Sequence, residues 1–193
     1  NSAVVATDRN EGVYLLDWIS HYQALGFDDI FIYSNNNSDG SDCLLKALSD
    51  NGIIFWINND VPPLGDAQSK SYSHALMLNE QILNYRWAAF FDLDEFLMVN
   101  NKFFNGVNDF LSWHEFYDTD IIGINWTFVG SNSEVFWKND EMYKRFNVDL
   151  SINPHIKSII KPNKFIGSRP HYPCWHNIYN PSFRESDRTE HKY

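Results

Sequence analysis

The stretch RWAAFFDLDEFLMVN, residues 86–100, is apolar from Ala88 to Val99 except for Asp92, Asp94 and Glu95. An apolar run of this kind reads as a strand buried on both faces, the habit of parallel sheets. Acids belong in it only where the strand leaves the sheet. Asp92 is therefore predicted at the carboxyl end, with Asp94 two residues on and on the same side. Two carboxylates that close repel by roughly a few kcal/mol at partial burial, and a divalent cation or a shared proton is the usual way to keep them together. Hard oxygen ligands favour Mg or Mn over zinc. The plainer alternative is a pair of turn-capping aspartates, with Glu95 in a nearby ion pair.

The segments before this stretch alternate in type. AVVAT (3–7) reads as a buried strand, and Glu11 to Leu25 as an amphipathic helix stopped by Gly26. DIFIYS (29–34) is a second strand, and DCLLKALSDNG (42–52) a helix closed at Gly52. IIFWI (53–57) is a third strand, followed by a Pro/Gly-bearing loop over 58–66 and a helix from Ser69 to Tyr85. Strands separated by short helices predict an α/β fold with a mainly parallel sheet covered on both faces, its ligands at the carboxyl ends of the strands.

At 193 residues, with 44% hydrophobic and 17% aromatic residues, the chain has the size and composition of one globular domain. Fifteen basic against twenty-five acidic residues give a formal charge of −10, which argues against a nucleic-acid partner held through its backbone. A phosphate-bearing ligand would need a cation to mediate. Cys43 and Cys174 form neither a disulfide framework nor a metal-type spacing, and fit a reducing compartment. No transmembrane span or signal peptide is visible. The chain begins at Asn1 rather than Met. The expectation is a piece of a longer cytoplasmic protein, with peripheral association at the inner face of a membrane through regions outside this sequence.

DRNEGVYLLDWISHYQALGFDDIFIYSNNNSDGS, then QSKSYSHAL, then WAAFFDLDEFL resemble glycosyltransferases of family 2 and family 92, which share the GT-A fold. The resemblance runs over roughly residues 3–100 and continues more weakly through INWTFVGS and HIKSIIKP. It implies one GT-A-like domain, with a nucleotide-sugar-binding half over 1–100 and a smaller acceptor-side half over 101–193. In it Asp92-Leu93-Asp94 resembles the D-x-D motif that holds Mn or Mg against the donor diphosphate. His171, preferred over His176, resembles the histidine that completes the metal site; otherwise it is an ordinary histidine. Thr7, Arg9, Asn10 and Glu11 correspond to the stretch that contacts base and ribose, although Asp8 or Asn10 could as well cap a helix there, with Glu11 favourable at a helix start. Ser34 and Asn35 stand where that family usually has acids, which leaves Asn35 and Asp39 as the candidate contacts. Gln68 matches a position near the ribose. Lys157 matches a position that faces the phosphates, and Lys70 is either a second such lysine or a solvated one.

The resemblance also implies inversion, which needs a carboxylate at the acceptor hydroxyl. Glu134, Asp140 and Glu141 follow NWTFVGSNS and are the candidates, though none matches a family base. Trp126, Phe128, Trp137 and Trp175 could stack on sugar faces or serve as core. The expected activity is metal-dependent transfer of a hexose, galactose or glucose, from a UDP-sugar to a polysaccharide or lipopolysaccharide, a glycan or glycolipid acceptor. Two other classes remain. A sugar nucleotidyltransferase would normally show a Gly-rich, basic signature after the first strand, whereas TDRNEGVY has one glycine and one arginine. A non-catalytic carbohydrate-binding module suits the many aromatics, but not the acid pair.

Overall fold

The computed structural model describes residues 1–130, 136, 138, 140–169, 171–176 and 178–186. A seven-stranded sheet has the order β3-β2-β1-β4-β6-β5-β9. Its strands are β1 (Ser2–Asp8), β2 (Asp29–Ser34), β3 (Phe55–Asn58), β4 (Trp87–Phe90), β5 (Ile121–Gly130), β6 (Asn147–Ile160) and β9 (Phe183–Glu185). β1 to β4 pair in parallel, β6 runs antiparallel to both β4 and β5, and β9 pairs in parallel with β5. The mainly parallel α/β sheet expected from the alternation is therefore present. A separate two-stranded hairpin joins β7 (Gly167–Ser168) to β8 (Pro173–Cys174).

Helices cover both faces because both faces are apolar. One core gathers Val4, Ala6, Ala89, Ile122 and Ile159 from the sheet, with Phe91 just past β4, against Trp18 and Tyr22 of α1 (Leu15–Leu25), Leu45 of α2 (Ser41–Asp50) and Phe110 of α5 (Val107–Phe116). The other sets Ala3, Val5, Phe31, Phe90 and Ile160 against Tyr72 and Ala75 of α3 (Ala67–Met77) and Ile82 of α4 (Glu80–Leu83). Alternate residues of β1 and β4 serve opposite cores, as the two-residue strand period requires. Among the described residues, no helix is long and apolar enough to cross a membrane.

Four boundaries differ from expectation. α1 begins at Leu15, not Glu11, because Asn10 takes a left-handed φ of 60° and the next four residues form a turn. The helix expected over 69–85 is two: Asn79 breaks it in an extended conformation and caps α4 by accepting from the amides of Gln81 and Ile82. β3 is shifted to Phe55–Asn58. β4 stops at Phe90, and Asp92 to Glu95 form a turn closed by the Glu95 amide donating to the Asp92 carbonyl at 3.0 Å. The two-residue strand period thus does not reach Asp94, and the two aspartates have different surroundings.

Candidate functional site at the sheet switch point

β1 lies between β2 and β4, so the chain leaves β1 toward one neighbour and returns beside the other. In an open α/β sheet the loops diverge at such a point and leave a crevice at the carboxyl edge. The loops after β1 and β4 bear Asp8, Glu11, Asp92, Asp94 and Glu95. Among the described residues, the buried cation there is Lys157 of β6. β6 pairs with β4 through Ala89 and Ile159 and then runs on past the end of β4, which sets Lys157 beside Asp92.

Lys157 is 2% exposed. Its Nζ donates to Asp92 Oδ2 at 2.7 Å and lies 3.4 Å from Glu95 Oε2. It also stands 5.8 Å from the centre of the Trp126 ring. Gln68 Nε2 donates to Asp92 Oδ1 and, at 3.2 Å, to the hydroxyl of Tyr72. The turn itself is fastened to α1: Trp18 Nε1 donates to the carbonyls of Asp92 (2.9 Å) and Glu95 (3.0 Å), and the Tyr22 hydroxyl donates to the Glu95 carbonyl. Glu95 folds back to accept from the Asp92 amide at 2.9 Å.

One lysine cannot balance these acids. Burial pushes Glu95 up to about 7, with Asp92 adding to it and Lys157 working against it. Glu11 is pushed up to about 7 as well, first by burial, then by Asp94, Asp8 and Asp92. Burial also raises Asp8, against the stabilising hydrogen bond from Asn37. Carboxylates held at such cost are relieved by a proton or by a cation. Asp94 is exposed, and no hydrogen bond reaches its carboxylate among the described residues.

The other expected residues divide into those that build the rim and those that stay open. Thr7 Oγ1 pairs with Ser71 Oγ at 2.6 Å, and since Ser71 gives its proton to the Gln68 carbonyl, Thr7 is the donor. Asn10 and Asp39 latch two loops together. The Asn10 amide donates to Asn37 Oδ1, Ser38 donates its amide to Asn10 Oδ1, and the Gly12 amide donates to Asp39 Oδ2 at 3.0 Å. A Cβ on Gly12 would lie 2.9 Å from that of Ser41, so this approach requires glycine. Asn35 is buried and accepts from the amide of Val61. Lys70 is exposed and donates to the Asp60 carbonyl. Leu93 is 1% exposed, its side chain in the core. Arg9 is exposed with no hydrogen-bond or ion-pair partner among the described residues.

On the acceptor side, His171 sits in the β7–β8 connection. Its Nδ1 is 3.1 Å from the Ile156 carbonyl, which can only accept, so Nδ1 carries a proton, and in the neutral ring the lone pair is on Nε2. Trp126 packs edge-on to His171 and stacks on His155. With His155 and the Lys157 ammonium against it, its ring belongs to the packing of the site. Asp140 and Glu141 are exposed, and Glu141 pairs with Lys144. The Met142 amide donates to Asp17 Oδ2 of α1 at 3.3 Å, so this segment meets the first turns of α1. Glu134 and Trp137 lie outside the described residues.

The donor set tests the expected Mg or Mn. Among the described residues, no three His, Cys, Asp or Glu side chains form a group that could hold an ion. Asp92, Asp94 and His171 are thus not a ready-made cage. These ions do not need one, since they are commonly held by one or two carboxylates together with substrate phosphates and water. An open Asp94, a raised Glu11 and an imidazole oriented through its far nitrogen fit that pattern.

Sequence reasoning missed three parts of the site. Trp18 and Tyr22 lie within the helix expected over 11–25, and nothing in the sequence showed that their polar ends hold the turn. Glu95 was legible only as a nearby ion-pair partner, and Asp8 only as a cap.

The mainly parallel sheet and its flanking helices are of the GT-A type. TarS of S. aureus, residues 1–349, in a crystal structure in complex with UDP, superposes with a TM-score of 0.52 at 8% identity, over 84% of this chain and 47% of that one. That likeness is one of fold. The chain itself belongs to glycosyltransferase family 92, whose family model matches residues 7–191. A family 92 protein of Ricinus communis is 32% identical over 88 residues, 46% of this chain, and one of Arabidopsis thaliana is 32% identical over 87 residues, 45% of this chain. The aligned part is 15% and 14% of the length of those two proteins.

Proposed function

We propose that the chain is the donor-binding part of a glycosyltransferase that moves a hexose, galactose or glucose, from a UDP-sugar to a polysaccharide or lipopolysaccharide acceptor with inversion. The observation that carries this reading is the Asp92–Glu95 turn at the switch point, held from inside by Lys157 and Gln68 while Asp94 faces out. Family membership supports the reaction class, and the UDP bound by TarS, which shares the fold, supports the nucleotide.

A divalent Mn or Mg, held by Asp94 with Asp92 and the free Nε2 of His171 as further candidate ligands, would neutralise the charge that develops on the departing diphosphate. Arg9, free at the rim, is suited to a phosphate or a base edge. Thr7, Gln68 and the latched loops of Asn10 and Asp39 set the width of the crevice, while Asn35 and Lys70 hold its wall. Glu11, pushed up to about 7, keeps much of its proton near neutrality and can donate a hydrogen bond to a ligand oxygen. The base that takes the acceptor proton is sought among Glu134, Asp140 and Glu141, in the segment that follows β5. Soluble enzyme in the cytoplasm, at the inner face of a membrane, would meet both a nucleotide-sugar and a growing lipid-linked glycan.

The test is a panel of UDP- and GDP-sugars, each assayed for release of free sugar with Mn, with Mg and with EDTA. Release from a UDP-hexose that requires the metal is expected. Release from none of them, or release unaffected by EDTA, defeats the reading.

A further inference from the structure

We propose that His155 contacts the acceptor sugar, its Nε2 accepting the hydrogen of one sugar hydroxyl. This deepens the transfer reading above and rests on it. Along the β5–β6 ladder Asn125 pairs with Ile156 and the next residue, Trp126, with Asn153, so Pro154 and His155 bulge from β6. Proline suits such a place, having no amide to give to a ladder. The His155 amide, outside the ladder, donates instead to Asn153 Oδ1 at 2.9 Å. The same Oδ1 lies 2.6 Å from His155 Nδ1. A side-chain atom that accepts from a main-chain amide is the oxygen of the asparagine, so Nδ1 carries a proton, and in the neutral ring the lone pair is on Nε2. Bulges beside active sites re-aim side chains, and this one orients the imidazole as well.

His155 is exposed, whereas Lys157, two residues along β6, is buried against Asp92. The His155 ring stacks on Trp126 with centres 5.5 Å apart and planes 24° apart, and it lies 5.5 Å from the ring of His171. Trp126 has the Lys157 ammonium 5.8 Å from its centre, so contiguous contacts join His155 to the acidic turn. The Trp126 Nε1 is buried with no hydrogen-bond partner among the described residues. Ring packing therefore fixes the indole, and His155 is part of that packing. An exposed ring nitrogen with a lone pair takes a hydrogen or a cation. Diphosphate oxygens bring neither, whereas sugar hydroxyls are donors. β4 separates β6 from β1 and β2, whose loops would hold the nucleotide, so the hydroxyl within reach of His155 is that of the acceptor sugar.

Saturation-transfer NMR on the whole chain with UDP and Mn tests this without turnover, the probes being the methyl α- and β-glycosides of galactose and glucose and their monodeoxy analogues. The parent is expected to bind at least one of these glycosides, and loss of one particular hydroxyl to weaken it about tenfold, the worth of a single hydrogen bond. His155→Phe keeps a ring on Trp126 but has no lone pair. It is expected to weaken the full glycoside about tenfold yet to bind that one deoxy analogue as the parent does, a coupling that a general loosening of the site would not produce. Asn153→Ala, which frees the imidazole to turn, should weaken the full glycoside severalfold. Mn affinity, followed by electron paramagnetic resonance, should stay that of the parent in both variants. If no glycoside binds the parent, if His155→Phe weakens every analogue alike, or if it weakens Mn, the inference is wrong. The transfer reading survives each of those results, since it stands on metal-dependent release from a UDP-hexose. Should His155→Phe not fold, Asn153→Ala with the same analogues decides.

Discussion

HIKSIIKP places Lys157 and Lys161 four residues apart, and the structure puts them in two acid–lysine clusters of opposite balance. At Lys157, one buried lysine serves Asp92 and Glu95, with Glu11, Asp8 and Asp94 close by. At Lys161, two lysines serve one buried acid: Asp120 Oδ1 accepts from Lys164 at 2.7 Å and Lys161 at 3.3 Å, and its Oδ2 from the hydroxyl of Tyr179 and the amide of Ser182. Burial raises Asp120, but Lys164, Tyr179 and Ser182 outweigh it and hold the carboxyl below its usual range. The second cluster is closed and ties β9 and its approach to the sheet. The first carries surplus negative charge at the edge proposed to take the ligand, and that surplus supports the proposal.

The largest effect should separate the clusters by function. Asp94→Asn is expected to lower metal-dependent turnover by about two orders of magnitude or more while circular dichroism and melting stay near those of the parent; near-normal turnover would remove Asp94 from the site. Asp120→Ala should do the reverse. Removing one member of a buried ion pair costs about 3 kcal/mol, so calorimetry should show melting lowered by roughly 10 °C with Mn affinity unchanged, and a loss of Mn affinity would merge the two clusters.

Acid titration sharpens the contrast. A carboxyl held low in the folded state adds stability that is full above its unfolded value, near 4, and is lost as the pH falls through the lower folded value. Urea unfolding below about pH 4 should therefore show an acid-induced loss that is shallower in Asp120→Asn. An equally steep loss would mean that Asp120 is not the group responsible. The smallest expected effect is at the histidines: His171→Ala should weaken Mn dependence by severalfold and His176→Ala less, because only His171 has its imidazole oriented by a main-chain carbonyl among these two. The reverse order would move the assignment to His176.

The alternation of apolar runs and amphipathic segments disclosed the parallel half of the sheet, and Gly26 marked the end of α1, because both signals are local. The helix break at Asn79 was hidden inside an otherwise helical pattern. Asp92 and Asp94 were legible as acids that an apolar strand would not carry without cause, and the family resemblance supplied their motif. Their unlike surroundings were not legible. Those depend on Lys157, 65 residues from Asp92, and on Gln68 and Trp18, each brought there by its own element.

By itself the sequence determined the four parallel strands β1 to β4, that their chemistry-bearing acids fall at a carboxyl edge, and that the chain is acidic. Period, composition and turn chemistry act over a few residues, and a sequence displays them. Only the tertiary structure decided that β6 overruns β4 and seats one ammonium between Asp92 and Glu95. Which charges are paired inside the protein depends on distances between remote strands, and no local pattern encodes them.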